Sequence, residues 1–296
     1  MQNIYRKSST ILRTVAKVAL ELPSGRRMAV NIGVDFDAHA TWMGTFGQTS
    51  PGYLSRGEYD ALVGLPRLLQ ALREHDIVGN FFTPTHTMAT FPAAFETVLD
   101  SGHEVSAHGC WHEPIMKISP VEERHLLELQ IQQHERHVGK RPHGYRSPAW
   151  DFTDQTLGLL EEFGFEWDSS LMGRDFEPYR PRPVTIDREN GNIFGAPSRI
   201  LEFPVSWHLD DWPATEHVPG VSQGFESPET IYARWKAHID FAYTRVPNAL
   251  VSITVHPQAI GRPNYLLMFE QFLRYVAELD GTWFTNLSAL MPYWTD

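Results

Sequence analysis

The chain has one cysteine, Cys110, in 296 residues. No intrachain disulfide can form, so nothing points to an oxidising compartment. Clustered basic charge is also missing: 25 Lys and Arg stand against 36 Asp and Glu, a formal net charge of −11. Binding to phosphate backbones needs concentrated positive charge, and this balance argues against a nucleic-acid partner. No apolar run approaches the ~20 residues of a membrane span. The segment from Ile11 to Leu22 has the outline of a signal sequence, but Arg13, Lys17 and Glu21 interrupt it and no small-residue cleavage site precedes Pro23. It reads as an N-terminal strand or short amphipathic segment of a cytoplasmic protein. Internal repeats, low-complexity tracts and linkers are absent.

What remains is an ordinary soluble composition, 42% hydrophobic and 21% charged, in a chain long enough for one large α/β domain or two small ones. Strand-like and helix-like stretches alternate. Apolar runs predict strands at Met28–Val34, Val78–Thr83, Glu104–Ala107, His143–Arg146, Phe165–Asp168, Leu201–Val205, Ala249–Val255 and Thr282–Thr285. Helical spacing places Leu62, Leu65, Leu69 and Leu72 on one helix, and predicts others at Phe91–Leu99, Val121–Val138, Pro228–Thr244 and Tyr265–Leu279. Ser119 and Gly139 cap the third of these five. A glycine-rich insertion, Thr41–Tyr59, follows the first strand. Repeated β-then-α order implies a parallel sheet, and this many units a closed or nearly closed barrel.

Two strand ends carry chemistry. Val34-Asp35-Phe36-Asp37 closes the first strand, and His108-Gly109-Cys110-Trp111-His112 follows the run ending at Ala107. One carboxylate and two imidazoles make a common ligand set for zinc or a similar divalent ion, and leave a position open for water. A second carboxylate two residues away could act as general base on that water. On a regular strand Asp35 and Asp37 face the same side. Each residue alone has a plainer reading, as a turn cap, a buried carboxylate or a stacked histidine. Cys110, between the two histidines, points away if they point in, and reads as a small buried filler. His125, His134 and His137 read as solvated on a polar helix. His39 and His86, near strand ends, could line a pocket or be structural.

These motifs and their spacing resemble the polysaccharide deacetylase family (NodB homology, carbohydrate esterase family 4) over roughly residues 28 to 290. The resemblance implies a distorted (β/α) barrel over residues 28–296 with residues 1–27 as an N-terminal extension. It implies Asp35 as catalytic base, Asp37, His108 and His112 as metal ligands, and Arg146 of Arg146-Ser147-Pro148 as the partner that holds Asp35 ionised. His256 of Thr254-Val255-His256-Pro257 falls at the acid position. An aspartate of the Trp207–Trp212 string would raise its pKa, with Asp210 preferred over Asp211. Trp42, Trp150 and Trp207 are candidate substrate-binding walls, along with Phe46 and Trp212, and a backbone N–H near Ala149 a candidate oxyanion donor. Three positions depart from the family pattern: Phe36 separates the two aspartates, Gly109 replaces a Ser or Thr, and Ala149 stands where an aromatic residue is usual.

With the insertion and the string Leu54–Glu58, these departures resemble a subgroup of intracellular peptidoglycan-deacetylase-like proteins, cyclic imide hydrolases and a metal-free allantoinase branch. Retention of Asp37, His108 and His112 points to a metal enzyme, with zinc as the expected ion and cobalt, manganese or iron also suited. The expected reaction is hydrolysis of a non-peptide amide C–N bond in a small amide or cyclic imide. An N-acetylated sugar or peptidoglycan is the alternative substrate, and an inactive barrel serving as a binding module the alternative class. The subgroup resemblance also implies a homo-oligomer, with Thr41–Tyr59 roofing the site.

Overall fold

The computed structural model describes residues 19–295. Eight parallel strands form its main sheet: β1 (Met28–Asp35), β2 (Asn80–Thr83), β3 (Glu104–Ala107), β4 (Gly144–Tyr145), β5 (Trp167–Asp168), β6 (Leu201–Glu202), β7 (Ala249–Val255) and β8 (Thr282–Phe284). Their order is β7-β1-β2-β3-β4-β5-β6. Strand β8 pairs with the lower part of β1 at Met28–Val30, and β2 pairs with the upper part from Gly33. Between β6 and β7 the only ladder contact described is one bridge, Asp210 to Thr254, so the sheet curls into a nearly closed barrel.

Strands β1 and β7 are buried along both faces, which explains their unbroken apolar runs. Side chains alternate across a strand. Met28, Val30, Ile32 and Val34 pack outward with Trp235, Phe269 and Phe272 of the long helices Pro228–Arg245 and Pro263–Ala277. Ala29 and Leu250 pack inward with Phe82, Trp167 and Phe203. The inward series of β1 runs Ala29, Asn31, Gly33, Asp35, so the sequence that fills the barrel ends in a carboxylate at its mouth. The base is closed by Leu20, Leu287 and Leu290, and by an antiparallel pairing of Ala19–Leu20 with Trp294–Thr295. Of the predicted N-terminal element, residues 11–18 lie outside the described residues.

The insertion after β1 is helical rather than a loop. Helix α1 (His39–Met43) is followed by α2 (Pro51–Tyr59), which runs through a π-helical turn, Asp60–Gly64, into a helix over Leu65–Glu74. Pro51 starts α2 with φ already set for a helix. Gly57 serves close packing, since a Cβ there would lie 2.5 Å from the Ala38 carbonyl carbon. A hairpin arm, Val184–Thr185 paired with Ile193–Phe194, was not anticipated. Among the described residues no helix is long and apolar enough to cross a membrane.

Candidate active site

Asp35 at the end of β1, Asp37 just beyond it, histidines from the loop after β3, Arg146 after β4 and His256 after β7 converge at the barrel mouth. Asp35, 2% exposed, accepts a 2.6 Å hydrogen bond from Arg146 Nη1. The guanidinium is fully buried. It also donates to the Ser169 carbonyl (2.9 Å), the Ser169 hydroxyl (3.1 Å) and Thr254 Oγ1 (3.3 Å). Its plane lies 3.7 Å from the Phe82 ring centroid, and a Cβ on Gly33 would come within 3.0 Å of both terminal nitrogens. Gly33 is therefore the space in which the arginine sits. Burial pushes the Asp35 pKa up, but Arg146, His108 and His256 outweigh it and hold the carboxyl below its usual range.

Asp37 lies between the two histidines of the HxxxH loop. Its Oδ1 is 3.5 Å from His108 Nε2, and its Oδ2 is 3.6 Å from His112 Nε2. His108 Nδ1 is bonded to the Arg146 carbonyl at 2.8 Å, which fixes that nitrogen as the donor and leaves the Nε2 lone pair facing Asp37. Thr45 Oγ1 lies 2.6 Å from His112 Nδ1 and orients the second ring. The loop itself is held by Glu113, whose buried carboxylate accepts from the backbone N–H of Cys110 and Trp111. Gly109 sits at φ 75°, and a Cβ there would be 3.0 Å from both Glu113 oxygens. That contact gives a local reason for the Gly109 departure. Cys110 turns into the core, with Sγ bonded to the Leu126 carbonyl, and burial pushes its thiol up to about 12.

This group fits a divalent ion. Asp37 Oδ1 and His108 Nε2 are buried without a hydrogen-bond partner, a costly arrangement for bare polar atoms. One ligand atom from each of Asp37, His108 and His112 lies within 4.8 Å of the others. Bonds of ~2.1 Å at a tetrahedral angle put ligand atoms about 3.4 Å apart, close to the two separations above. Burial pushes the Asp37 pKa well up, His256 opposes it and Asp35, Asp60 and Asp210 add to it, so a charged Asp37 is costly here without a cation to share the site.

His256 completes the site and corrects one expectation. Asp211, not Asp210, is its hydrogen-bonded partner: His256 Nδ1 lies 2.7 Å from Asp211 Oδ1, and the His256 N–H donates to the same carboxylate. Asp210 is 3.7 Å away, and its Oδ1 accepts the Trp212 N–H at 2.8 Å. The bridge to Thr254 sets which aspartate turns toward the ring. Two adjacent aspartates outside a regular strand carry no local signal of that choice. His256 Nε2 is 3.8 Å from Asp35 Oδ2. Burial lowers the His256 pKa, but Asp211, Asp210 and Asp35 outweigh it and raise it well above the usual histidine value.

A cavity of about 300 Å³ opens onto this cluster. Asp35, Asp37, His112 and His256 are part of its lining. One wall is Phe46 stacked on Trp212 at 6.0 Å, and the other is Trp150 stacked on Trp207 at 4.2 Å. Ala149, at φ 54°, lines it as well. Trp42 does not. It is fully buried, donates to Gln258 Oε1 at 3.2 Å, and backs Phe46 and Trp212 from inside. The α1 turn carries Trp42 into the core, and Thr41, Thr45 and Phe46 reach the cavity in its place. Sequence reasoning missed Thr45, Glu113 and Ser169, which hold functional side chains from outside the motifs, and it weighed Asp211 but preferred its neighbour. His39 packs on Phe91, and neither it nor His86 lines the cavity.

Comparison with known proteins agrees with this architecture. A family model described as polysaccharide deacetylase matches residues 59–167. The chain is 34% identical over 275 residues to a peptidoglycan deacetylase of Helicobacter pylori, covering 88% of this chain and 94% of that protein. It is 32% identical over 289 residues to a peptidoglycan deacetylase-like protein of Gibberella zeae, covering 89% and 85%. A Mycobacterium smegmatis crystal structure, solved as that of a candidate polysaccharide deacetylase, superimposes with a TM-score of 0.80 at 32% identity over 92% of each chain. Identity and coverage of this extent, on a curled parallel barrel with this mouth, mean that the chain belongs to the polysaccharide deacetylase family of amide C–N hydrolases.

Proposed function

We propose that the protein is a metal-dependent hydrolase of a small amide or cyclic imide. The observation that carries this reading is the meeting, in one cavity of about 300 Å³, of three groups. These are the Asp37–His108–His112 cluster, an arginine-paired carboxylate and a histidine–aspartate pair. A divalent ion, zinc by the character of its donors, supplies a Lewis acid that polarises the substrate carbonyl and acidifies water when bound. Asp37, His108 and His112 hold it. Asp35, kept ionised by Arg146, takes the proton of the attacking water as the new C–O bond forms. His256, oriented by Asp211, gives its Nε2 proton to the nitrogen as the C–N bond breaks. Ala149 stands at the cavity wall, where a backbone N–H can assist the developing oxyanion.

The cavity volume supports a small substrate, since it lies near the lower end of the ~300–1,000 Å³ of small-molecule sites. Its paired aromatic walls suit a flat ring. A second reading, deacetylation of an N-acetylated sugar or peptidoglycan, is favoured by the name of the Helicobacter relative. Incubation of the zinc-loaded protein with a cyclic imide and with a chitooligosaccharide separates the two. Ring opening without acetate release is expected. Acetate release alone moves the protein to the second reading, and turnover of neither makes it a binding module. A cytoplasmic homo-oligomer fits the same reading. Ile186, Ile193 and Phe194 on the hairpin arm are exposed apolar residues suited to a subunit contact, and a monomer by sedimentation would remove that part.

Asp211→Asn tests the acid. A raised pKa keeps His256 protonated to higher pH, so activity is lost as pH rises through it. Removing the Asp211 charge lowers that pKa, and the alkaline limb of kcat should move to lower pH. An unmoved limb takes His256 out of the acid role.

A further inference from the structure

We propose that Asp60 and Thr87 are positioning residues that pin the peptide between Asp37 and Ala38 and thereby aim the Asp37 carboxylate at its two histidines. The inference rests on reading Asp37, His108 and His112 as an ion-binding group.

The backbone shows why such a device is needed. Strand β1 ends at Asp35 and α1 begins at His39, so the chain must pass from strand to helix within three residues. Ala38 absorbs the turn at φ 49°, ψ −121°, a region sparsely populated by residues with a Cβ. Conformations of this kind persist only when their surroundings over-determine them. Here both ends of one peptide are held. Thr87 Oγ1 donates to the Asp37 carbonyl at 2.5 Å, and the Ala38 N–H donates to Asp60 Oδ2 at 2.7 Å. The α2 backbone presses on the same turn, because Gly57 leaves no room for a Cβ against Ala38. Asp60 projects from the π-helical turn Asp60–Gly64, whose extra residue redirects side chains relative to a regular helix.

The cost of Asp60 argues for a role. It is fully buried, and its Oδ1 has no hydrogen-bond partner. A carboxyl group in such a place is expensive, and an apolar residue of similar size would pack there more cheaply. What it contributes in return is the acceptor that faces Ala38. Loss of a group that orients a ligand typically costs about 10–100-fold in metal affinity.

The test uses zinc, titrated in competition with a chromophoric chelator, together with thermal unfolding of the ion-free protein. Asp60→Ala should weaken zinc binding by about tenfold or more, and Thr87→Val should shift it the same way. Asp60→Asn should stay much nearer the unmutated value, because its amide oxygen still accepts from Ala38. Leu68→Ala, a buried change on the Leu65–Glu74 helix, serves as the stability control. It should lower the unfolding temperature without changing zinc affinity. Unchanged affinity in Asp60→Ala overturns the proposal, as does an equal loss in Leu68→Ala. If the unmutated protein takes up no zinc, the ion-binding reading fails on its own. Positioning is then read from hydrogen exchange at the Ala38 amide. Faster exchange in Asp60→Ala than in Leu68→Ala sustains it, and equal rates end it.

Discussion

His108→Ala should abolish turnover and most ion binding while leaving the barrel folded. His108 supplies one of three ligand atoms, and its Nε2 has no other partner. Its removal should weaken ion affinity by more than the roughly 10–100-fold that follows loss of an outer partner. Turnover should fall by at least about a thousandfold, because the lost Lewis acid accounts for several kcal/mol of transition-state stabilisation. The fold is expected to survive for a local reason. Residues 108–112 form a loop whose backbone is held by Glu113 and by Gln130 Oε1, and neither depends on the imidazole. The direct loss is one hydrogen bond to the Arg146 carbonyl, about 1 kcal/mol. Elemental analysis and thermal unfolding of the variant read the two effects separately. An unmutated protein with no bound ion and chelator-insensitive activity would place the chain with metal-free relatives.

Where the sequence was readable, long-range context was not needed. Strand β7 was predicted at both ends, Ala249 and Val255, because both of its faces are buried and polar groups stop it abruptly. The Pro120–Val138 helix is bounded as its caps imply, with Ser119 accepting from Glu122 N and Gly139 at φ 79°. Strands β4, β5 and β6 are only two residues long, and the residues that follow them, Arg146, Ser169 and Phe203, still donate their backbone N–H to the neighbouring strand while serving the site or the core. The glycines of Thr41–Tyr59 suggested a loop. Gly57 permits a helix to approach the Asp37 turn and Gly44 lets the chain pass against the His112 backbone, and a single sequence cannot distinguish flexibility from close contact. His134, expected in solvent, is buried with Nδ1 against the Lys140 carbonyl, since its helix turns that side inward. The motif residues could be found because each sits at a strand end, where the topology gathers them. Supports such as Thr45, Gln130 and Ser169 lie on other segments, and no short-range pattern marks those.

Asp35→Asn and Asp37→Asn should separate base from ligand in a way that stability and ion binding both report. Asp35 is 3.8 Å from His108 Nε2 and lies outside the ligand trio, so Asp35→Asn should keep the ion. It should lose turnover by about 10²–10⁴-fold, the usual contribution of a positioned general base. Asp37→Asn should lose both. The ion-free proteins should differ in the opposite sense. Among the described residues Asp35 is the only carboxylate bonded to the fully buried Arg146, and removing one partner of a buried pair typically costs about 3–5 kcal/mol. The asparagine oxygen can still accept from Nη1, which keeps the expected loss toward the lower end. Burial is the largest cost of the Asp37 charge, Asp35, Asp60 and Asp210 add to it, and His256, its Nε2 4.0 Å from Asp37 Oδ2, offsets part of it. Neutralising it removes repulsion, so ion-free Asp37→Asn should be as stable as the unmutated chain or more so. Calorimetry with and without zinc checks all four states. If Asp35→Asn loses the ion and Asp37→Asn keeps it, the two roles are exchanged. The extra residue Phe36 between the aspartates would then have shifted the register of the site along β1, because side chains two apart on a strand share a face and either could reach the cluster.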